Sequence, residues 1–557
     1  MQHELSELKG SRPIRKSGLW KMASITVVVV MVLLAAFPAG VLADSSTPAP
    51  TTVPGADPDT SQETMGPDHY APGINPLTGL PVLDPSMLQH PPALVSISDF
   101  PASGRPQSGL SYASIVYEMW IGEGMSRFLT VFYGNYPPSK SDKASIGDFV
   151  WSDNNHNGIQ DAGEPGVPGV TVDLLNADGV AVSSVATDAN GAYHFNNLPA
   201  GTFSVKVELP TGATFSPKGA GSDQSKDSDF DPTTGVSDPI VLTTDAVDTV
   251  DCGLILSTPL TGSTSPNPTP TVQPTTTGGS DTVSSPTADD NDIGPIRSGR
   301  IPYEYVRSMY SGFLVMASAW SGVLKTLNSY TNVYGSDAGD INSDTIPVSS
   351  LKDIAKTNDN KIVDGQLSGN LFDTTPPAGG VSGLSLYVNY NYANQFFWRY
   401  NPATGGYNRY QNGTTDDTAA KFTELTDKLT GQPLNYQNVI VLFANNTAKK
   451  ETLIDIALQY AHGKAALFRD GQEYPILWTS ENSSYEQSTG QVRPIRFTDL
   501  NGDPIALKPG QTWVVIVNTY TPFYETANTE DYYKLLHDKT PGSGYWAAYF
   551  SDPYSSK

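Results

Sequence analysis

Residues 153–164 read Asp-Asn-Asn-His-Asn-Gly-Ile-Gln-Asp-Ala-Gly-Glu. Hard oxygen donors fall at positions 1, 3, 5, 9 and 12 of this stretch, on Asp153, Asn155, Asn157, Asp161 and Glu164. The carbonyl of Ile159 takes position 7 and Gly158 takes the sharp bend at position 6. A hard cation with six to eight oxygen ligands is held by that order, so the expected cofactor is Ca2+. A second acidic run, Asp227-Ser228-Asp229-Phe230-Asp231, is followed by Pro-Thr-Thr-Gly. Alternate side chains of an extended segment point the same way, so Asp227, Asp229 and Asp231 are expected to converge on a further ion. The alternative is a solvated acidic turn. Asp188-Ala189-Asn190-Gly191 reads as an ordinary hairpin turn.

Elsewhere the chemistry is carried by arginines. Arg105, Arg127, Arg297 and Arg300, together with Glu118, stand out in a chain poor in Arg. Several guanidinium groups near one carboxylate can clamp a phosphate or carboxylate of an envelope polymer. The competing reading is a partly buried Arg–Glu network that orients loops. The sequence holds no Gly-x-Ser-x-Gly elbow, no His-Glu-x-x-His and no glycine-rich phosphate loop, so no catalytic residue is assigned. A hydrolase or transferase acting on envelope polymers through carboxylates such as Glu118 is the alternative to a non-enzymatic role. His90 and His462 have no orienting partner in sequence and are expected as satisfied surface or core residues. Aromatic residues crowd 387–410, where core packing and hairpin pairing compete with a face on which sugars stack.

The elements that position these residues belong to an exported chain. Lys9, Arg12, Arg15, Lys16 and Lys21 precede an apolar run from Met22 to Leu42 that ends at Ala43. Residues 1–43 therefore read as a signal peptide or as an uncleaved membrane anchor, with everything after Asp44 outside the membrane. The single cysteine, Cys252, excludes an intrachain disulfide and a thiolate zinc site, and fits a small buried strand residue. A net charge of −24 argues against nucleic acid as a partner.

Ser/Thr/Pro-rich stretches at 44–70 and 258–290 read as extended linkers. Between them, 71–138 shows strands at Ala93–Ser98, Ser114–Trp120 and Arg127–Tyr133. Residues 145–257 form an acidic module with 16 Asp and Glu against three Lys and Arg. From 291 a helix is expected near Tyr303–Tyr310, a strand at Gly312–Ala319 and a second helix from Trp320, running on to about 425. The segment 430–525 carries strands at Asn438–Phe443, Lys464–Arg469, Pro475–Trp478, Arg493–Thr498 and Gln511–Asn518, a small mostly-β C-terminal domain. The tail 526–557 is aromatic and polar and is left unassigned. The predicted fold is multidomain: an α/β (mixed α+β) host with that C-terminal domain, interrupted by an all-β sandwich.

The interrupting module has Ile146-Gly147-Asp148-Phe149-Val150-Trp151 before the calcium loop, then Gly166-Val167-Pro168-Gly169-Val170-Thr171-Val172 and Leu198-Pro199-Ala200-Gly201-Thr202-Phe203. In that order these motifs resemble the B-type repeat of SD-repeat surface adhesins, a prealbumin-like relative of the collagen-adhesin B domains. The resemblance implies several calcium ions per module. Related modules lock themselves with a Lys–Asn isopeptide bond, but the opening strand Ser145–Trp151 has no Lys, so calcium is the expected staple. The implied role is a stiff spacer, or an adhesion surface.

The flanks carry Asn75-Pro76-Leu77-Thr78-Gly79-Leu80-Pro81, Arg105-Pro106-Gln107-Ser108-Gly109-Leu110, Ser126-Arg127-Phe128-Leu129 and Gly294-Pro295-Ile296-Arg297-Ser298. With Ala466-Leu467-Phe468-Arg469-Asp470-Gly471 and Pro509-Gly510-Gln511-Thr512-Trp513, they resemble the YerB-like lipoprotein family, an extracytoplasmic domain of unknown function. Two histidine-bearing segments usual in that family are replaced here, at 371–380 and after Gln411-Asn412-Gly413. The expected partner is a cell-wall polymer or a surface glycan or protein ligand, with the membrane touched only through the N-terminal segment.

Overall fold

Strands buried on both faces read as unbroken apolar runs rather than as alternation. Two such runs, Asn438–Ala444 (NVIVLFA) and Thr512–Asn518 (TWVVIVN), lie in the middle of an eleven-stranded sheet. The computed structural model describes residues 70–553, apart from 123–124, 140–141, 143, 244, 259–291, 328–330, 334–343, 359–365, 392, 413–421, 451–452 and 482–483. The leader or anchor at 1–43 and most of the linkers at 44–70 and 258–290 lie outside the described residues.

The large sheet runs Thr331–Val333, Phe313–Met316, Ala93–Ser98, Met125–Phe132, Ile115–Gly122, Thr512–Asn518, Asn438–Ala444, His462–Arg469, Gln472–Thr479 and Val381–Ser382. Arg496–Thr498 pairs onto Gln472–Thr479. The strands expected from 71 to 138 and from 430 to 525 are thus present, but they share one sheet. Thr512–Asn518 pairs in parallel with Ile115–Gly122 on one side and Asn438–Ala444 on the other. The C-terminal strands extend the host sheet instead of closing into a small domain of their own, because this central strand satisfies its backbone only between the two halves. The helix expected near Tyr303–Tyr310 is Ile301–Met309, which buries Tyr303 and Val306. The one expected from Trp320 is a single turn, Ser321–Leu324, in which Val323 alone is buried, too narrow a stripe to hold a longer helix. The host is consequently mostly β, with few helices.

A second sheet of seven strands is ordered Phe422–Glu424, Gly406–Asn412, Asn394–Asn401, Ser385–Asn391, Tyr545–Tyr549 and Phe523–Glu525, with Asn435–Tyr436 on Gly406–Asn412. The aromatic stretch 387–410 is therefore hairpin. The tail supplies an inner strand of this sheet, Tyr545–Tyr549, parallel to Ser385–Asn391.

The module after Pro138 folds as two four-stranded sheets. One runs Ile240–Leu242, Gly201–Val207, Thr171–Leu175, Ala181–Ala186, and the other Ala192–Leu198, Ala144–Ser152, Cys252–Ile255, Thr214–Phe215. Alternation delivers Ile146, Val172, Leu174, Phe195, Val205 and Leu254 into a core separate from that of the host. Cys252 is buried in it, as a small strand residue. Host and module touch where Asn176 Nδ2 donates to the Val82 carbonyl at 2.9 Å and Leu83 packs on the module's core.

Candidate metal centre

The loop 153–164 leaves the strand Ala144–Ser152 with both ends fastened. The Ser152 amide donates to the Pro165 carbonyl at 2.9 Å, and the Asp153 amide to Leu254 at 2.9 Å. In the middle, Gln160 donates to Lys226 at 2.8 Å, and Ile159 bridges Asp227. Gly158 has φ +75°, and a Cβ there would sit 2.5 Å from the Pro217 carbonyl oxygen. Only glycine fits that bend.

The donor side chains turn inward around it. Asp153 is buried, and its carboxylate accepts the amides of Asn157 at 3.2 Å and Gly158 at 2.8 Å. Glu164 accepts the amides of Asn154 at 2.8 Å and Asp161 at 3.0 Å, tying position 12 back to the loop's start. Asp161 Oδ2 receives the side-chain amides of Asn155 at 2.7 Å and Asn157 at 2.8 Å. Those two contacts hold the Asp161 carboxyl below the usual carboxylate range. Of the five predicted side chains, Asn155, Asn157 and Asp161 meet directly, while Asp153 and Glu164 are each turned onto backbone amides of the same loop. As arranged, Asn155 and Asn157 donate their side-chain N–H to Asp161, while their oxygens accept the amides of Asn157 at 3.0 Å and Ile159 at 2.7 Å. Among the described residues no three or more His, Cys, Asp and Glu side chains are grouped to hold an ion as they stand. The loop depends on amide and carbonyl oxygens as well as on carboxylates.

The second acidic run divides. Asp231 turns its carboxylate onto the amides of Thr233 at 2.8 Å and Thr234 at 3.0 Å, an Asx turn that lowers its pKa. It does not converge with Asp227 and Asp229 as the alternation predicts, because the chain bends at Pro232. Asp229 instead joins Asp251 and Asp148. Asp229 Oδ2 accepts the Asp251 amide at 2.8 Å. Burial, reinforced by neighbouring carboxylates, pushes Asp251 up to about 9 and Asp148 to about 7. Burial also pushes Asp229 to about 6, with Asp227 adding to it. Asp251 Oδ2 and Asp227 Oδ1 are buried, and among the described residues neither has a hydrogen-bond partner. Buried orphan oxygens are costly unless a proton or cation meets them.

In the host, Glu118 does not meet the four arginines named with it. Its strand neighbour across the ladder is Phe128, while Arg127 lies opposite Met119, so pleat alternation sends Glu118 and Arg127 to opposite faces. Glu118 pairs with Arg409, Nη1 to Oε2 at 2.8 Å and Nη2 to Oε1 at 3.1 Å, both side chains fully buried. Trp513 Nε1 and Ser126 Oγ complete the carboxylate's shell at 2.9 and 3.0 Å. Arg409 is also stacked over Phe396, 3.9 Å from the ring centre, and over Trp513 at 4.7 Å. Burial raises the Glu118 carboxyl, with the Arg409 charge opposing. Arg105 is spent on Asp99, at 3.2 Å. Arg127 and Arg300 come together on Ser298, whose hydroxyl they reach at 2.8 and 2.7 Å, and Arg297 is its chain neighbour. The five-residue clamp is thus three separate arrangements: a sealed Glu118–Arg409 pair, an Arg105–Asp99 pair and a cluster of arginines around Ser298. His462 sits on the surface, 2.7 Å from Glu481.

Three family models match the chain. The N-terminal domain of a protein of unknown function (DUF3048) covers residues 77–148, its C-terminal domain covers 386–514, and the SdrD B-like domain covers 144–254. The chain carries the two parts of DUF3048 with an SdrD B-like domain inserted between them. Serine-aspartate repeat-containing protein F of Staphylococcus epidermidis is 43% identical over 101 residues, 18% of this chain and 6% of that protein. Protein D of the same name from Staphylococcus aureus is 42% identical over 107 residues, 19% and 8% of the two chains. The chain therefore spans less than a tenth of these relatives' length. Among solved structures, YerB from Bacillus subtilis aligns over 80% of this chain and 96% of its own at 17% identity and a TM-score of 0.42. GBS52, the minor pilin of Streptococcus agalactiae, covers 27% and 56% at 13% identity and a TM-score of 0.15.

Within the SdrD B-like domain, Asp148 and Asp251 are the acidic residues that sequence reasoning missed. Asp148 stands in the Ile-Gly-Asp-Phe-Val-Trp motif, where a charged residue inside a buried strand is itself a signal. Asp251 has no such local mark. In the DUF3048 host, Arg409 was overlooked because it lies among aromatic residues that read as packing.

Proposed function

We propose that the chain is an exported, envelope-associated protein with a non-enzymatic binding or structural role, whose SdrD B-like domain is stiffened by Ca2+. The observation that carries this reading is the inward turn of Asp153, Asn155, Asn157, Asp161 and Glu164 around Gly158, in a loop fastened at both ends. Asp148, Asp227, Asp229 and Asp251 are proposed to take a further ion, which would meet the orphan oxygens of Asp227 and Asp251. The loop lies along the segment that carries Asp227 and Asp229, so ordering one steadies the other. Binding energy gained by the folded domain alone becomes folding energy.

Similarity to serine-aspartate repeat proteins supports a surface setting. Among the described residues no helix is long and apolar enough to cross a membrane. Attachment through residues 1–43, and a cell-wall polymer or surface glycan or protein as partner of the host, belong to this proposal. Glu118, sealed by Arg409, Trp513 and Ser126, fits a structural ion pair better than a catalytic acid. Calorimetric titration of the full chain with Ca2+, repeated on a variant with Asp153→Ala and Glu164→Ala, tests the reading. Uptake that the double substitution lowers by the loop's ion supports it, and uptake of no calcium, or uptake that the double substitution leaves unchanged, overturns it.

A further inference from the structure

A cavity of about 630 Å³ opens on the second sheet of the host, within the size range of small-ligand pockets. Its geometry follows from the strand register. Arg399, Ser385 and Tyr545 form one row across three neighbouring strands, and Phe397 lies in the next row on the same face. The segment 526–530 walls the other side, bringing Asn528 and Glu530 to the rim.

The rim is pre-organised. Arg399 lies over the ring of Phe397 at 4.7 Å and over that of Tyr410 at 4.8 Å, and its guanidinium pairs with Glu530. One cation and one anion cancel, so the mouth presents hydrogen-bonding forks without net charge. Arg399 offers only donors, Glu530 only acceptors, and Asn528 both. On the face that Arg399 shares, the lining rings are Phe397 and Tyr545, while Tyr400 and Trp546 reach the cavity from strand positions whose rings pack towards the large sheet. Sugar rings need this combination: hydroxyl edges that donate and accept together, and C–H faces that pack on aromatic rings.

We infer that this cavity is a binding site for a neutral oligosaccharide. The inference deepens the proposal that the host is a binding body, and it rests on that proposal. Titration of the full chain with chitotetraose, cellotetraose and mannotetraose, followed by calorimetry and tryptophan fluorescence, tests it. At least one of the three is expected to bind saturably, with affinity lowered by about tenfold or more in Asn528→Ala and in Arg399→Ala. Asn528 is exposed, so its variant keeps the fold, which an unchanged thermal melt verifies. Binding of none of the three at millimolar concentration overturns the inference, as does binding that both substitutions leave unchanged. Retention on purified cell walls separates the two claims. If wild type and Asn528→Ala are retained equally, the host remains a binding body and the saccharide pocket is wrong.

Discussion

Asp229 and Asp251 hold each other by backbone and side chain together: the Asp229 amide donates to the Asp251 carbonyl at 2.8 Å, and Asp229 Oδ2 accepts the Asp251 amide at 2.8 Å. The two carboxylates are thereby fixed close to each other and to Asp148, in a partly buried pocket with Asp227 beside them. Like charges so placed favour whatever neutralises them, a proton or a cation.

A pH dependence follows. The folded-state values of about 9 for Asp251, about 7 for Asp148 and about 6 for Asp229 all lie above the unfolded one. A carboxyl raised in the fold stabilises fully below its unfolded value, roughly pH 4, and loses that contribution as pH rises through the folded value. In chelator, the melting temperature of the inserted domain should fall steadily from about pH 5 to about pH 9. Calcium should flatten or reverse the trend, since binding displaces those protons. Circular dichroism melts across that range are the measurement, and a rise in chelator contradicts the assignment.

Asp251→Asn should separate proton from ion. It keeps the shape and removes the charge, so the domain should become less sensitive to alkaline pH in chelator. Its calcium-induced stabilisation should shrink by about 1 to 3 kcal/mol, the loss of one charged ligand in a partly buried site. Melts of this variant with and without calcium, compared with wild type, give the answer.

The loop's bend gives a paired test. Gly158→Ala places a Cβ 2.5 Å from the Pro217 carbonyl at φ +75°, whereas Gly163→Ala, at φ +100°, meets nothing within 4 Å. The first should cost more than the second, whose penalty is the backbone strain alone, about 1 to 3 kcal/mol. Only the first should abolish calcium uptake at the loop. Denaturant titration and calorimetry of both variants decide it.

In the host, the sealed pair sets a stability expectation. Glu118→Gln leaves Arg409 charged and fully buried without its counter-ion, which should cost about 3 to 5 kcal/mol. Adding Arg409→Met should recover a good part of that loss, because the uncompensated charge is gone. A double-mutant cycle in urea measures both, and a Glu118→Gln variant as stable as wild type would show the pair to be dispensable.

What could be read in the sequence was what lies contiguous in it. The proposed calcium loop has all its candidate donors within one turn-rich stretch, and the strands at Ala93–Ser98 and Asn438–Ala444 announce themselves as unbroken apolar runs. Long-range partners left no such trace. Arg409 is 291 positions from Glu118, and nothing near either residue names the other. Alternation along 227–231 predicts three converging carboxylates, but the turn that begins at Pro232 gives Asp231 to the amides of Thr233 and Thr234. The tail could not be assigned because its strand Tyr545–Tyr549 is held between Phe523–Glu525 and Ser385–Asn391, the latter far back in the chain. For the same reason the C-terminal strands read as a separate domain, although Thr512–Asn518 joins them to the first half.

The most direct measurement is the thermal melt of the full chain in millimolar calcium against the same protein in chelator at neutral pH. The account predicts a transition of the inserted domain that moves up with calcium, by about 2.7 kcal/mol of stabilisation when the ion is present at a hundredfold its dissociation constant. That shift should shrink in the variant with Asp153→Ala and Glu164→Ala. Superimposable melts with and without the ion in the wild-type chain would contradict it.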